Sequence, residues 1–143
     1  MYKKILIPLD NSLTDKTILE HIRPLAKMTG AEVVLVHVAD GFAARLQEPL
    51  NLADSQEKTD DQAYLDAVRK KLAAEGFKAK AILMQGKDPG ISLLSAANQE
   101  GCDLIAMSTH GHGFVKDVIL GSVADYLRHN TDIPILMIRA KTN

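Results

Sequence analysis

Apolar residues come in short unbroken runs that alternate with longer stretches where they recur every three or four positions. The runs are "KILIPL" (4–9), "EVVLVHV" (32–38), "KAKAILM" (78–84), "DLIAMS" (103–108) and "IPILMIR" (133–139). Their length and aliphatic, β-branched content predict strands, most of them buried on both faces. From Ser12 to Thr29 the residues Ile18, Ile22, Leu25 and Met28 keep helical spacing, and Gly30 suits the C-terminal cap. Pro24 lies inside that pattern and predicts a kink or a break. Leu65, Val68 and Leu72 share one face of a second helix that runs to Glu75 and stops at Gly76. In "GKDPG" (86–90), Asp88 and Pro89 suit the N-cap and first position of a third helix, which reaches Glu100 and is closed by Gly101. A fourth helix reaches about Asn130. The polar stretch 39–61 shows little regular signal and is expected to be a long loop, mobile when empty and better protected once a ligand is bound.

The order βαβαβαβαβ predicts an α/β fold: a doubly wound five-stranded parallel sheet with helices on both faces. Strand order 3-2-1-4-5 places the topological switch point between strands one and four. Ligands in such sheets bind beyond the carboxyl ends of the strands at that point. Those ends are "PLD" (8–10) and "STHG" (108–111). The 143 residues suit one domain over 1–143.

Composition removes several function classes. A formal net charge of −1 offers no footprint for nucleic acid or an anionic membrane. With 4% aromatics and no tryptophan there is no stacking platform for single-stranded nucleic acid. Cys102, a single cysteine, precedes an apolar run and suits packing rather than nucleophilic chemistry. No apolar run is long enough to span a membrane, and the N-terminus lacks a secretory pattern, so a cytoplasmic location is expected.

Candidate chemistry concentrates in "STHGHGFVKDVILGS" (108–122). A phosphate needs converging backbone N–H groups with no Cβ in the way, a task suited to glycine and to a helix N-terminus. Gly111 and Gly113 offer one set of amides, and Gly121-Ser122-Val123 a second, with Ser122 at an N-cap or first-turn position and "VKDVI" as a short helical turn between. The segment is neither a P-loop nor GxGxxG. On glycine chemistry alone, a phosphate site and a merely structural loop both stand. His110 and His112 form an HxH pair without an evident third ligand, which points to loop residues beside phosphates rather than a metal site. His37, inside a strand, suits a satisfied histidine better than a base. Asn11, Ser12 and Thr14 compete to cap the first helix, which leaves Asp10 available to a ligand.

The spacing of the segment resembles the nucleotide motif of the universal stress protein family: Gly-x-x-Gly, nine residues, then Gly-Ser or Gly-Thr. Gly111 matches the second glycine, His112 to Leu120 the nine, and Gly121-Ser122 the end. "YKKILIPLDNS", "VVLVHVAD" and "GSVADYLRHNTDIPILMIR" extend the resemblance over essentially the whole chain. It implies an ATP-binding regulatory protein. Pro8 and Asp10 would lie at the adenine-ribose part, Val38 would offer backbone groups to adenine, Gly86 in the strand-three turn would approach it, and Met107 and Ser108 would lie by the ribose. Gly111, Gly121, Ser122 and Val123 would hold the phosphates, with Mg or Mn bound through them.

Ser108 stands where the motif begins with glycine. Serine would be strained there at positive φ, or would crowd the ribose if its Cα faced it; otherwise its hydroxyl would bond the sugar. No catalytic constellation is evident, and slow ATP hydrolysis is the most that is expected. The alternative is a family member that binds no nucleotide and acts through protein contacts alone. The C-terminal edge strand, "IPILMIR", implies a homodimer, a pairing common in the family.

Overall fold

The computed structural model describes residues 1–40, 52–109 and 117–140. In that part of the chain lie strands β1 (Lys4–Pro8), β2 (Glu32–Asp40), β3 (Ala79–Gly86), β4 (Leu104–Thr109) and β5 (Ile135–Arg139). Helices α1 (Thr14–Thr29), α2 (Leu52–Ala74), α3 (Pro89–Glu100) and α4 (Asp117–Asn130) connect them. All pairings are parallel, in the order β3-β2-β1-β4-β5. The expected topology is therefore the observed one.

Alternate residues of the central strands serve two cores. Ile5, Ile7, Val33, Leu35 and Ala106 pack with Ile18 and Ile22 of α1 and Leu65 and Leu72 of α2. Leu6, Val34, Val36, Ile105 and Met107 pack with Leu93 and Ala97 of α3 and Val123 and Leu127 of α4. Burial on both faces explains the unbroken apolar runs. Each fully buried Leu or Ile contributes about 1.5–3 kcal/mol against exposure.

Helix ends follow local chemistry where glycine and aspartate act. Gly30 and Gly101 are left-handed C-caps at φ 71 and 70. Asp88 caps α3, its Oδ1 accepting from the Gly90 and Ile91 amides at 3.0 and 3.3 Å. Cys102 is buried, which pushes its thiol up to about 11, as suits a packing residue.

Several expectations change. Pro24 does not break α1, which is a single helix from Thr14 to Thr29. Pro24 and Glu20 are both exposed, so the Glu20 carbonyl that loses its helical donor faces water. Met28 is 79% exposed, and Ala26 takes its place on the buried face. The stretch 39–61 is not one long loop, because β2 continues to Asp40 and α2 begins at Leu52. A helix start this polar shows little amphipathic period to read in the sequence. The remaining residues of that stretch, 41–51, lie outside the described residues. β5 begins at Ile135 rather than Ile133, just past Pro134.

The largest change concerns α4. It begins at Asp117, so Gly121 and Ser122 lie in its second turn rather than at its N-terminus. Gly121 is absent from the positive-φ residues and simply continues the helix. Val123 and Leu127, four apart and buried, hold that helical face to the core. Packing of this face outweighs the roughly 1 kcal/mol that an interior glycine costs a helix.

Candidate functional site

A cavity of about 500 Å³ opens beyond the carboxyl ends of β1 and β4. Pro8, Leu9 and Asp10 reach it from β1 and the turn that follows, and Thr14 and Asp15 from the start of α1. The end of β2 supplies Val36, His37 and Val38, and β4 supplies Met107 and Ser108. Lys87, Asp88, Pro89 and Leu93 form the wall at the β3–α3 turn. Ser122 and Val123 close it from α4.

Seven residues singled out in the sequence thus meet in one cavity: Pro8, Asp10, Val38, Met107, Ser108, Ser122 and Val123. Gly86 and Gly121 are not among its lining residues. A Cβ on Gly86 would strike Ser92 Oγ of α3, so a side chain there needs that hydroxyl to rotate away. Gly121 is exposed, and a Cβ on it would meet nothing within 4 Å among the described residues. His110, Gly111 and Gly113 lie outside the described residues, as does His112.

Ser108 carries no strain. Among the described residues Asn11 is the only non-glycine at positive φ, at 61. Ser108 is buried, and its Oγ donates to the Thr14 carbonyl at 2.9 Å, tying β4 to the start of α1. The hydroxyl proton therefore goes to the protein rather than towards a sugar.

The β1–α1 turn is held by carboxylates. Of the predicted caps only Ser12 acts: Leu13 is already helical at φ -62 and ψ -21 and makes no side-chain cap bond, and one residue earlier Ser12 Oγ accepts from the Thr14 amide at 3.3 Å. Ser12 Oγ lies 2.8 Å from Thr14 Oγ1, and Asp10 Oδ1 accepts from the Ser12 amide at 3.0 Å. Asp10 is thus partly engaged in its own turn, a common use of aspartate. Asp15, 3% exposed, accepts from the Asp10 amide at 3.2 Å and from the Asn11 amide at 2.9 Å. Tyr64 of α2 donates its hydroxyl to Asp15 Oδ2 at 2.6 Å.

Burial pushes the Asp15 carboxyl from 3.8 up to about 7, the Tyr64 hydrogen bond pulls it down, and the charge of Asp10 pushes it up. Tyr64 is itself raised, by burial and then by Asp15. His37 is satisfied as expected: Nδ1 donates to the Leu9 carbonyl at 2.7 Å, and Nε2 lies 3.1 Å from Asp61 Oδ2 of α2.

Asp15, Thr14 and Lys87 were not legible as site residues. For Asp15 a signal existed. Asp15, Ile18, Leu19 and Ile22 fall at i, i+3, i+4 and i+7, so the acid sits on the buried stripe of α1. An acid there needs partners.

No group of three or more metal-ligating residues occurs among the described residues. Nor is any helix there long and apolar enough to cross a membrane.

An all-parallel sheet of this order, with its cavity at the switch point, places the chain among the doubly wound α/β domains. Residues 1–139 match the model of the universal stress protein family, and the chain belongs to that family. It is 29% identical to universal stress protein MJ0577 of Methanocaldococcus jannaschii, with 100% of this chain and 98% of the relative covered. A solved structure of MJ0577 superposes with a TM-score of 0.85 at 31% identity, covering 100% of this chain and 99% of the other. Two further solved structures share the fold. One is a universal stress protein in complex with cAMP (TM-score 0.69, 16% identity, 98% of each chain covered). The other is the Archaeoglobus fulgidus universal stress protein in complex with dAMP (TM-score 0.68, 18% identity, 96% of this chain and 98% of the other).

Proposed function

We propose that the chain is a single nucleotide-binding regulatory domain whose switch-point cavity takes an adenine nucleotide, ATP with a divalent cation carried on its phosphates. The observation that carries this reading is the meeting of the seven residues in one cavity of about 500 Å³. Its composition suits the parts of such a ligand. Val36, Val38, Leu93 and Met107 offer an aliphatic slot for a flat base. Asp10, just past the end of β1, would take the ribose hydroxyls, and Lys87 and Ser122 would bring a cation and a hydroxyl to the phosphates. The cAMP and dAMP complexes of the two fold neighbours support an adenine nucleotide as the ligand class.

In this reading ATP occupancy sets the shape of the site and the contacts of a homodimer. A protein that acts only through contacts would be favoured by a serine that spoiled the motif. Ser108 puts no strain on the backbone and its hydroxyl is bonded to Thr14, which supports the nucleotide reading. The test is mass spectrometry of small molecules released when the purified chain is heat-denatured. An adenine nucleotide near one equivalent supports the reading. A different ligand class at that stoichiometry contradicts it.

A further inference from the structure

The turn between β1 and α1 is an unusual way to leave a strand. Asn11 sits at φ 61, in the left-handed region that non-glycine residues enter at a cost and keep only where the surroundings fix them. Two carboxylates fix it here, Asp15 on the amide of Asn11 itself and Asp10 on the following amide of Ser12. Asp15 spends one oxygen on the Asp10 amide and the other on the Asn11 amide, so a single carboxylate sets the orientation of two successive peptide planes. The carboxylate is itself fixed. Tyr64 reaches it from α2, and the Ser108 hydroxyl anchors the neighbouring Thr14 carbonyl from β4. Three elements thus converge on two residues at the start of α1, all of them at the cavity wall or touching it.

We infer that Asp15 is a positioning residue for the ligand: by chelating the amides of Asp10 and Asn11 it presents the Asp10 side chain to the cavity, and Tyr64 keeps it aligned. This rests on the nucleotide reading of the cavity. Merely satisfying two half-buried amides would need no connection to binding. The inference requires that Asp15 affect the ligand through Asp10 and by no other route. Interaction through a shared residue makes two substitutions non-additive, which a double-mutant cycle measures.

The experiment is calorimetric titration of the full chain with Mg·ATP, for the wild type, Asp10→Ala, Asp15→Ala, the double variant and Asp15→Asn. Asp10→Ala and Asp15→Ala should each weaken binding about tenfold, the scale of a lost hydrogen bond to a charged group. The double variant should bind within about twofold of Asp10→Ala alone, since nothing is left for Asp15 to position. Asp15→Asn keeps one carbonyl acceptor and should recover about half of the loss on a logarithmic scale.

Independent losses that multiply to about a hundredfold, or unchanged affinity in a folded Asp15→Ala, overturn the inference while leaving the nucleotide reading intact. If Asp15→Ala fails to unfold cooperatively, the cycle of Asp15→Asn with Asp10→Ala gives the same decision. A folded wild type that binds no Mg·ATP at millimolar concentration removes both.

Discussion

At the scale of single residues, two buried polar groups behave differently from what their letters suggest. Ser108 occupies a position where glycine opens the family motif, yet its backbone needs no glycine and its hydroxyl joins β4 to α1. Ser108→Gly therefore removes a buried hydrogen bond and gains only backbone freedom in the unfolded chain. Urea unfolding should show a loss of about 1–2 kcal/mol, with no gain in nucleotide affinity. Asp15 raises a question of pH. Its native pKa of about 7 stands above the ordinary 3.8, so between those values the folded chain holds more proton than the unfolded one. Stability from this group is present below about pH 4 and is lost as pH rises through 7, by on the order of 4 kcal/mol. Thermal melts from pH 4 to 8 should slope downward more steeply for the wild type than for Asp15→Asn. Equal slopes would place the titration elsewhere. Neither role was legible, because both depend on partners nearly 50 or 100 residues away in sequence.

At the scale of elements, strands announced themselves and helix starts did not. Double-sided burial leaves an unbroken apolar run, and the five runs located the strands to within about two residues. The start of α2 is polar and the start of α4 follows a glycine-rich segment, so both helices begin earlier than their apolar periodicity implied. The contact between α3 and α4 is legible only in three dimensions. A Cβ on Gly90 would come within 2.8 Å of Tyr126 Cδ1 and 3.0 Å of Cγ, so the two helices approach through that glycine. Gly90→Ala should destabilise by about 1–3 kcal/mol, read as a lowered unfolding midpoint. Tyr126→Leu in the same chain should return part of it. Gly121 is the contrasting case. It is helical with open space around it, so valine there should fold at least as well as the wild type.

At the scale of the molecule, the sheet order and the place of the cavity followed from connectivity alone. Parallel strands joined by helices admit few orders, and the switch point of this one fixes where a ligand enters. Its composition was only half legible, since Lys87 and Asp15 read as turn and helix residues in the sequence. β5 forms one edge of the sheet, with Met137 48% exposed. An apolar edge strand invites a second copy, so a homodimer is expected at micromolar concentration by light scattering coupled to size exclusion. A clean 15.6 kDa monomer would count against it. The decisive measurement is calorimetric titration of Mg·ATP into the wild type and into Ser122→Ala, which removes the hydroxyl that α4 brings to the cavity wall. Saturable binding of one nucleotide per chain is expected, weakened about tenfold in a Ser122→Ala protein of unchanged melting temperature. No heat at millimolar Mg·ATP from folded wild type, or equal affinity in the two proteins, would contradict a phosphate held at the α4 wall of the cavity.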